Sequence, residues 1–308
     1  MKADQLLKFY EQGYRDFTGV DLRGADLSGA MLISVNLTGA NLMGANLSRA
    51  FLTKSDFSEA NLNWANLSYA KMSETNLSQT DLTKANLTGA FMVKSQLIAA
   101  KLSGSDLSHT NLRASNLFEA NICGAKLQKV NLRQANLNKA NFNWANLHEG
   151  RLTGAQLQNV SLTDVNLSQT FLIDVDLSGA ELAGVNFSQA KLARANLSNS
   201  NLRNANLEGA LLKDVNLQYA NLSNAKLKKG NLSNANLSHA NLSNADLGEA
   251  SLKQANLSHA NLTKANLNNA NLELAILHNA VLSEANLLEK IQAEFFPIHS
   301  LQHQTQIA

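Results

Sequence analysis

Few residues in this 308-residue chain are spaced to do chemistry. His239 and His259 lie twenty apart, and His299 and His303 four apart. Imidazole pairs can share a metal ion when a carboxylate or thiolate completes the ligand set. No such group stands at spacing twenty from His239 and His259, so they read as a solvated pair stacked about 4.8 Å apart. His299 and His303 fall in a C-terminal tail that reads as loose, and their spacing is incidental. The single cysteine, Cys123, excludes a disulfide framework. A lone outward thiol fits a reducing cytoplasm better than a redox sensor. There is no glycine-rich phosphate loop, no Cys/His cluster at zinc spacing and no Gly-x-Ser-x-Gly elbow. Neither an enzyme nor a bound metal or cofactor is expected.

What would position any functional side chain is a repeat. From Phe17 to Leu287 an apolar residue, usually leucine, occupies every fifth position without a slip, giving 55 units of the form Ala-Asn-Leu-x-x. A helix turns about 100° per residue, so a step of five scatters the leucines around its axis. A flat strand would send successive leucines to opposite faces. The pattern is satisfied when each unit is a short extended piece followed by a corner. With leucine as position i, the small residue at i−2 and the leucine point inward. Asn or Asp at i−1 points outward, and i+1 and i+2 make the corner. Asn, Gly and Ser suit corners because they tolerate unusual backbone angles or bond to nearby backbone.

A second period gives the number of corners per turn. Of the 54 outward positions from Asp21 to Asn286, 18 are neither Asn nor Asp. Nine of these fall in one series of 13 at spacing twenty: Met31, Phe51, Lys71, Phe91, Arg151, Phe171, Lys191, Leu211 and Ser251. An even spread would put about four there. Four units per coil would stack these residues on one wall of a square tube.

With this motif the chain resembles the pentapeptide-repeat family over roughly residues 17–287. The resemblance implies an all-β fold, a right-handed quadrilateral parallel β-helix. About 13–14 coils at roughly 4.8 Å each make a rod on the order of 65 Å long. The expected organisation is a helical cap over 1–16, the β-helix over 17–287, and a cap with loose tail over 288–308. Phe57, Phe142 and Phe187 replace leucine at core centres, as do Met72, Met92 and Ile122. Val160, Val165, Thr170, Val175 and Val185 enlarge i−2 and predict a wider coil there. The stretch from Leu6 to Phe17 resembles openings common in cyanobacterial members.

Raw ends of such a tube need covering. The apolar residues of 3–12 predict a short amphipathic helix at one end. At the other, Phe295, Phe296 and Ile298 serve either a cap ending at Pro297 or a dimer contact, making the chain a monomer or an end-to-end dimer. No secretory signal or membrane-spanning stretch is legible, so a cytoplasmic location is expected.

Charge bears on partners. The family includes members thought to mimic duplex DNA and bind type II topoisomerases, which demands a strongly anionic rod. Here 26 basic residues face 24 acidic ones, a net charge of +2. Lys54, Glu74 and Lys94, and likewise Asp174, Arg194 and Asp214, read as ion-pair ladders. The basic groups Lys126/Lys129/Arg133/Lys139 and Lys226/Lys228/Lys229 are dispersed over different walls, so nucleic-acid binding is not expected. The most pointed signal is the odd wall, where Met31, Phe51, Lys71, Phe91, Phe171, Lys191 and Leu211 stand in place of Asn. Outward apolar side chains on a polar rod read as a strip that binds another protein. The competing reading is that they cover one another along the column. Trp64 and Trp144, eighty apart at i+2, share a different column. A third reading, a partnerless structural or stress protein, predicts that outward Asn can be replaced with little loss.

Overall fold

The computed structural model describes residues 1–286. Apart from two positions at one joint, each outward i−1 residue bridges in parallel to the residue twenty further on, from Asp16↔Asn36 to Asn266↔Asn286. One coil is therefore four units, and the pairing consists of isolated bridges instead of extended strands. A corner at every fifth residue leaves no room for longer ones.

Positions i−2 and i fill the interior. Phe57, Phe142 and Phe187 are buried among the leucines. Where i−2 is a hydroxyl residue, its oxygen donates to a carbonyl, as Thr80 does to Phe57 O at 2.7 Å and Ser95 to Met72 O at 2.7 Å. These bonds offset the cost of burying a polar group.

The corner explains positions i+1 and i+2. In nearly every unit the N–H three residues beyond the leucine donates back to its carbonyl, for example Ala40 N to Leu37 O at 3.0 Å; Val35 N donates instead to Ser55 Oγ at 3.1 Å. Every i+2 residue from Gly19 to Glu284 has φ between +53° and +71°. This is the geometry of a type II turn, whose third residue is left-handed. That region is hardest on β-branched side chains, and no Val, Ile or Thr occurs at i+2 in the described units. Ile33, Val93, Ile98 and Ile173 sit one residue earlier.

The outward asparagines, replaceable on the partnerless reading, carry hydrogen bonds. Asn66 Oδ1 accepts from Ser68 N at 3.1 Å and from Asn86 Nδ2 at 3.3 Å, while Asn66 Nδ2 donates to Asn46 Oδ1 at 3.2 Å. One side chain thus holds its own corner and ties three coils together. At the N-terminal end, helix α1 (Ala3–Glu11) buries Leu6 in the same core. Its Tyr10 hydroxyl donates to Ile33 O at 3.0 Å.

One joint departs from this regularity. The bridges Gln156↔Asp176 and Ser161↔Glu181 are missing between neighbours that keep theirs. Seven ladder bonds made by equivalent positions of adjacent coils are absent with them: those donated by Gly154, Leu157, Asn159, Leu162, Asp164, Asp176 and Glu181 N–H. The result is a cleft of about 400 Å³ between Leu157–Thr163 and Asp176–Glu181. Its sequence cause is at i−2, where Val160, Val165, Thr170 and Val175 make a full coil of β-branched residues. The excess volume at these positions thus coincides with the parting of this coil from its neighbour, as overpacked cores shift their backbone. Gln156 and Ser161 also lack the Asn carbonyl that holds a corner. Gln158 N and Thr163 N bond instead to Asn138 and Asn143 Oδ1 of the preceding coil, both at 2.9 Å. The lip is drawn away from the gap.

Candidate functional site

The odd wall is one physical column. Bridges run without a break through Met31, Phe51, Lys71, Phe91, Asn111, Asn131, Arg151, Phe171, Lys191 and Leu211. Coils set about 4.8 Å apart bring alternate residues within reach, and part of the column does cover itself. Lys71 Nζ lies 4.6 Å from the Phe91 ring centre. Phe171 is held between Lys191 Nζ at 3.9 Å and the Arg151 guanidinium at 5.8 Å, and is half-buried. Such cation–π contacts contribute roughly 0.5–1 kcal/mol at exposed sites. Met31, Phe51, Phe91 and Leu211 nevertheless stay 59%, 40%, 46% and 44% exposed.

The corners beside this wall carry functional candidates that reasoning from single columns misses. Arg49 and Tyr69 join Phe51, Lys71 and Gly29 around a shallow open cleft. Tyr69 leans over Gly89, where an added Cβ would sit 2.6 Å from its ring, so the glycine leaves the room the tyrosine uses. Ile33 and Arg113 are exposed on the opposite corner. The signal was available, since these residues repeat the spacing of twenty next to the odd column.

His239 and His259 stack at 4.7 Å with rings 2° from parallel, and Tyr219 stacks on His239 at 4.7 Å. His278 meets His259 edge-on at 5.8 Å. Among the described residues no group of three His, Cys, Asp or Glu is placed to hold a metal ion. His299, His303, Phe295, Phe296 and Ile298 lie outside the described residues. Cys123 is a free, partly exposed thiol.

Of the two expected ion-pair ladders, Asp174–Arg194 closes at 2.6 Å. Arg194 hydrogen-bonds the Asp174 carboxyl and holds it below the usual carboxylate range. Lys54, Glu74 and Lys94 form no ion pair among the described residues, contrary to the expected ladder. Long exposed side chains gain too little from pairing to fix their geometry. Asp21 is drawn down to about 2 by hydrogen bonds from the Arg23 side chain and backbone. No described helix is long and apolar enough to cross a membrane.

Comparison with known proteins places this architecture. The family model described as pentapeptide repeats (8 copies) matches in overlapping or abutting segments from residue 16 to residue 287. Among solved structures, HetL of the cyanobacterium Nostoc sp. strain PCC 7120 is 29% identical, covering 92% of this chain and 96% of its own, with a TM-score of 0.21. It is described as involved in heterocyst differentiation regulation. Rfr23 of the cyanobacterium Cyanothece 51142 is 23% identical over 52% of this chain and 99% of its own, with a TM-score of 0.20. QnrB1, a plasmid-mediated fluoroquinolone resistance protein, is 16% identical over 73% of this chain and 96% of its own, with a TM-score of 0.28. No curated protein matches.

Proposed function

This chain belongs to the pentapeptide-repeat family, and from that premise we propose that it is a non-enzymatic interaction scaffold whose odd wall binds another protein. We read the rod as a right-handed, quadrilateral β-helix, with α1 as its N-terminal cap and the cytoplasm as its compartment. The observation that carries the proposal is that Met31, Phe51, Phe91 and Leu211 stay exposed in a column where the repeat otherwise places Asn. Asn at that position contributes a corner bond and a link between coils. The apolar residues give up both without gaining burial, so the fold alone does not account for them. A flat face with an apolar centre and charged margins is the form a docking surface takes.

The test is affinity capture from native lysate with the wild type beside a Phe51→Asn, Phe91→Asn, Leu211→Asn variant, both checked by circular dichroism. A protein held by the wild type and lost by the folded variant supports the scaffold. Equal retention by both, or none by either, removes the wall from consideration.

A further inference from the structure

We infer that the N-terminal third of the odd wall docks an acidic protein segment bearing apolar side chains; the inference rests on the scaffold reading above and specifies its partner. The wall and the corners on its two sides carry five exposed cations there, Arg49, Lys54, Lys71, Lys94 and Arg113, against one acid, Glu74. None of the six forms an ion pair among the described residues.

The same columns behave differently further along the rod. Lys129 meets Glu149 at 3.6 Å, Arg194 meets Asp174 at 2.6 Å, Lys229 meets Glu249 at 3.8 Å and Lys253 meets Glu273 at 2.9 Å. The repeat can therefore neutralise its own cations across one coil: these four cations are paired, while Arg133, Arg151, Lys191 and Lys213 on the same columns are not, and where the exposed apolar residues gather none is. In that region Met31, Ile33, Phe51, Tyr69 and Phe91 are 38–59% exposed. Unpaired charges about one coil apart lie within a Debye length of roughly 8 Å and act on a partner together.

Two features favour a peptide over a nucleic acid. Met31 and Ile33 are aliphatic, and give contact area to apolar side chains but no platform for stacked bases. One face of Phe91 is taken by Lys71. From Met31 to Arg113 is four coils, roughly 20 Å, the length of about six extended residues. A short segment alternating acidic and apolar side chains spans it.

The test uses fluorescein-labelled twelve-residue probes read by anisotropy: (Glu-Leu)6, (Glu-Gly)6, (Lys-Leu)6 and a dodecameric oligo-dT. The (Glu-Leu)6 probe should bind the wild type at low salt. Binding should weaken at least tenfold with Arg49→Glu, Lys71→Glu, Lys94→Glu, and again with Met31→Asn, Phe51→Asn. The (Glu-Gly)6 and (Lys-Leu)6 probes should bind at least tenfold less well. Absence of (Glu-Leu)6 binding, indifference to charge reversal, or tighter binding of oligo-dT at the same residues overturns the inference. The charge-reversed variant, folded by circular dichroism, also serves as bait in the lysate capture. A partner lost with the Phe51/Phe91/Leu211 variant but kept after charge reversal refutes the acidic partner and leaves the scaffold standing. Retention in both variants removes both.

Discussion

Restoring the majority motif beside the cleft, through Gln156→Asn, Val160→Ala and Ser161→Asn, should close it and stabilise the rod. In a solenoid each coil touches only its neighbours, so stability is a sum of coil and joint contributions. The joint between 156–163 and 176–181 lacks seven backbone bonds. At roughly 0.5–1.5 kcal/mol net each, they represent about 3–10 kcal/mol. Removing two methyl groups from partly buried Val160 costs roughly 1–2 kcal/mol, so the repaired rod should gain several kcal/mol. The wild type should unfold as two blocks that part at this joint. Trp64 and Trp144, the only tryptophans, both lie before it, so their emission follows the N-terminal block while circular dichroism follows both. In guanidinium the two probes should give separate transitions for the wild type and coincident ones for the repaired variant. Amides of Leu157, Asn159, Leu162, Asp176 and Glu181 should exchange fastest among equivalent positions, and slow on repair. Coincident wild-type transitions with unchanged exchange after repair would refute the reasoning.

Three further outcomes follow from the corners. Asn224, at φ +57°, should lose roughly 1–2 kcal/mol on replacement by Val and nothing by Gly; equal denaturation midpoints for the two would contradict the left-handed corner. Asn66→Leu should cost about 1.5–4.5 kcal/mol through three lost hydrogen bonds, and a neutral result would return Asn to a passive role. For Asp56, desolvation pushes the carboxyl up, but bonds from the Ser58 hydroxyl and N–H and from Asn76 outweigh it, so the net shift is downward. A carboxyl lowered on folding adds stability that is present above its unfolded value near about 4 and lost as pH falls through the folded value. Acid titration of stability below pH ~4 should therefore be shallower in Asp56→Asn, and an unchanged slope would count against the bond set.

How much of this was legible in the sequence depends on the range of the interaction. The period of five and its multiple of twenty are carried by every unit, so the coil, the core positions and the odd column could be read directly. Asn66 looked merely outward, because its bonds run to residues twenty positions away and to its own corner at once. The pairing of exposed charges was readable only in part: Asp174–Arg194 closed and Lys54–Glu74–Lys94 did not, since each such pair is worth under about 1 kcal/mol. The cleft was half visible. Val160, Val165, Thr170 and Val175 announced excess volume, but whether volume widens a coil or parts two coils is decided by the packing of all four units together.

The cleft bears on the wall through its one-sidedness. Lost bridges fall on two adjacent faces, those of Gln156 and Ser161, whereas Asn146↔Asn166 and Arg151↔Phe171 keep theirs. A joint open on two faces and bonded on the other two can bend only about the bonded edge. The odd wall borders that edge, and Phe171, held by Arg151 and Lys191, lies at the pivot. The cation-rich apolar segment lies on one side of this pivot, and the Asp174–Arg194 and Lys253–Glu273 pairs lie on the other. On the docking proposal, a partner seated near Phe51 would be carried by the block before the joint, and bending there would change its distance to Leu211 while leaving the cation-rich face intact.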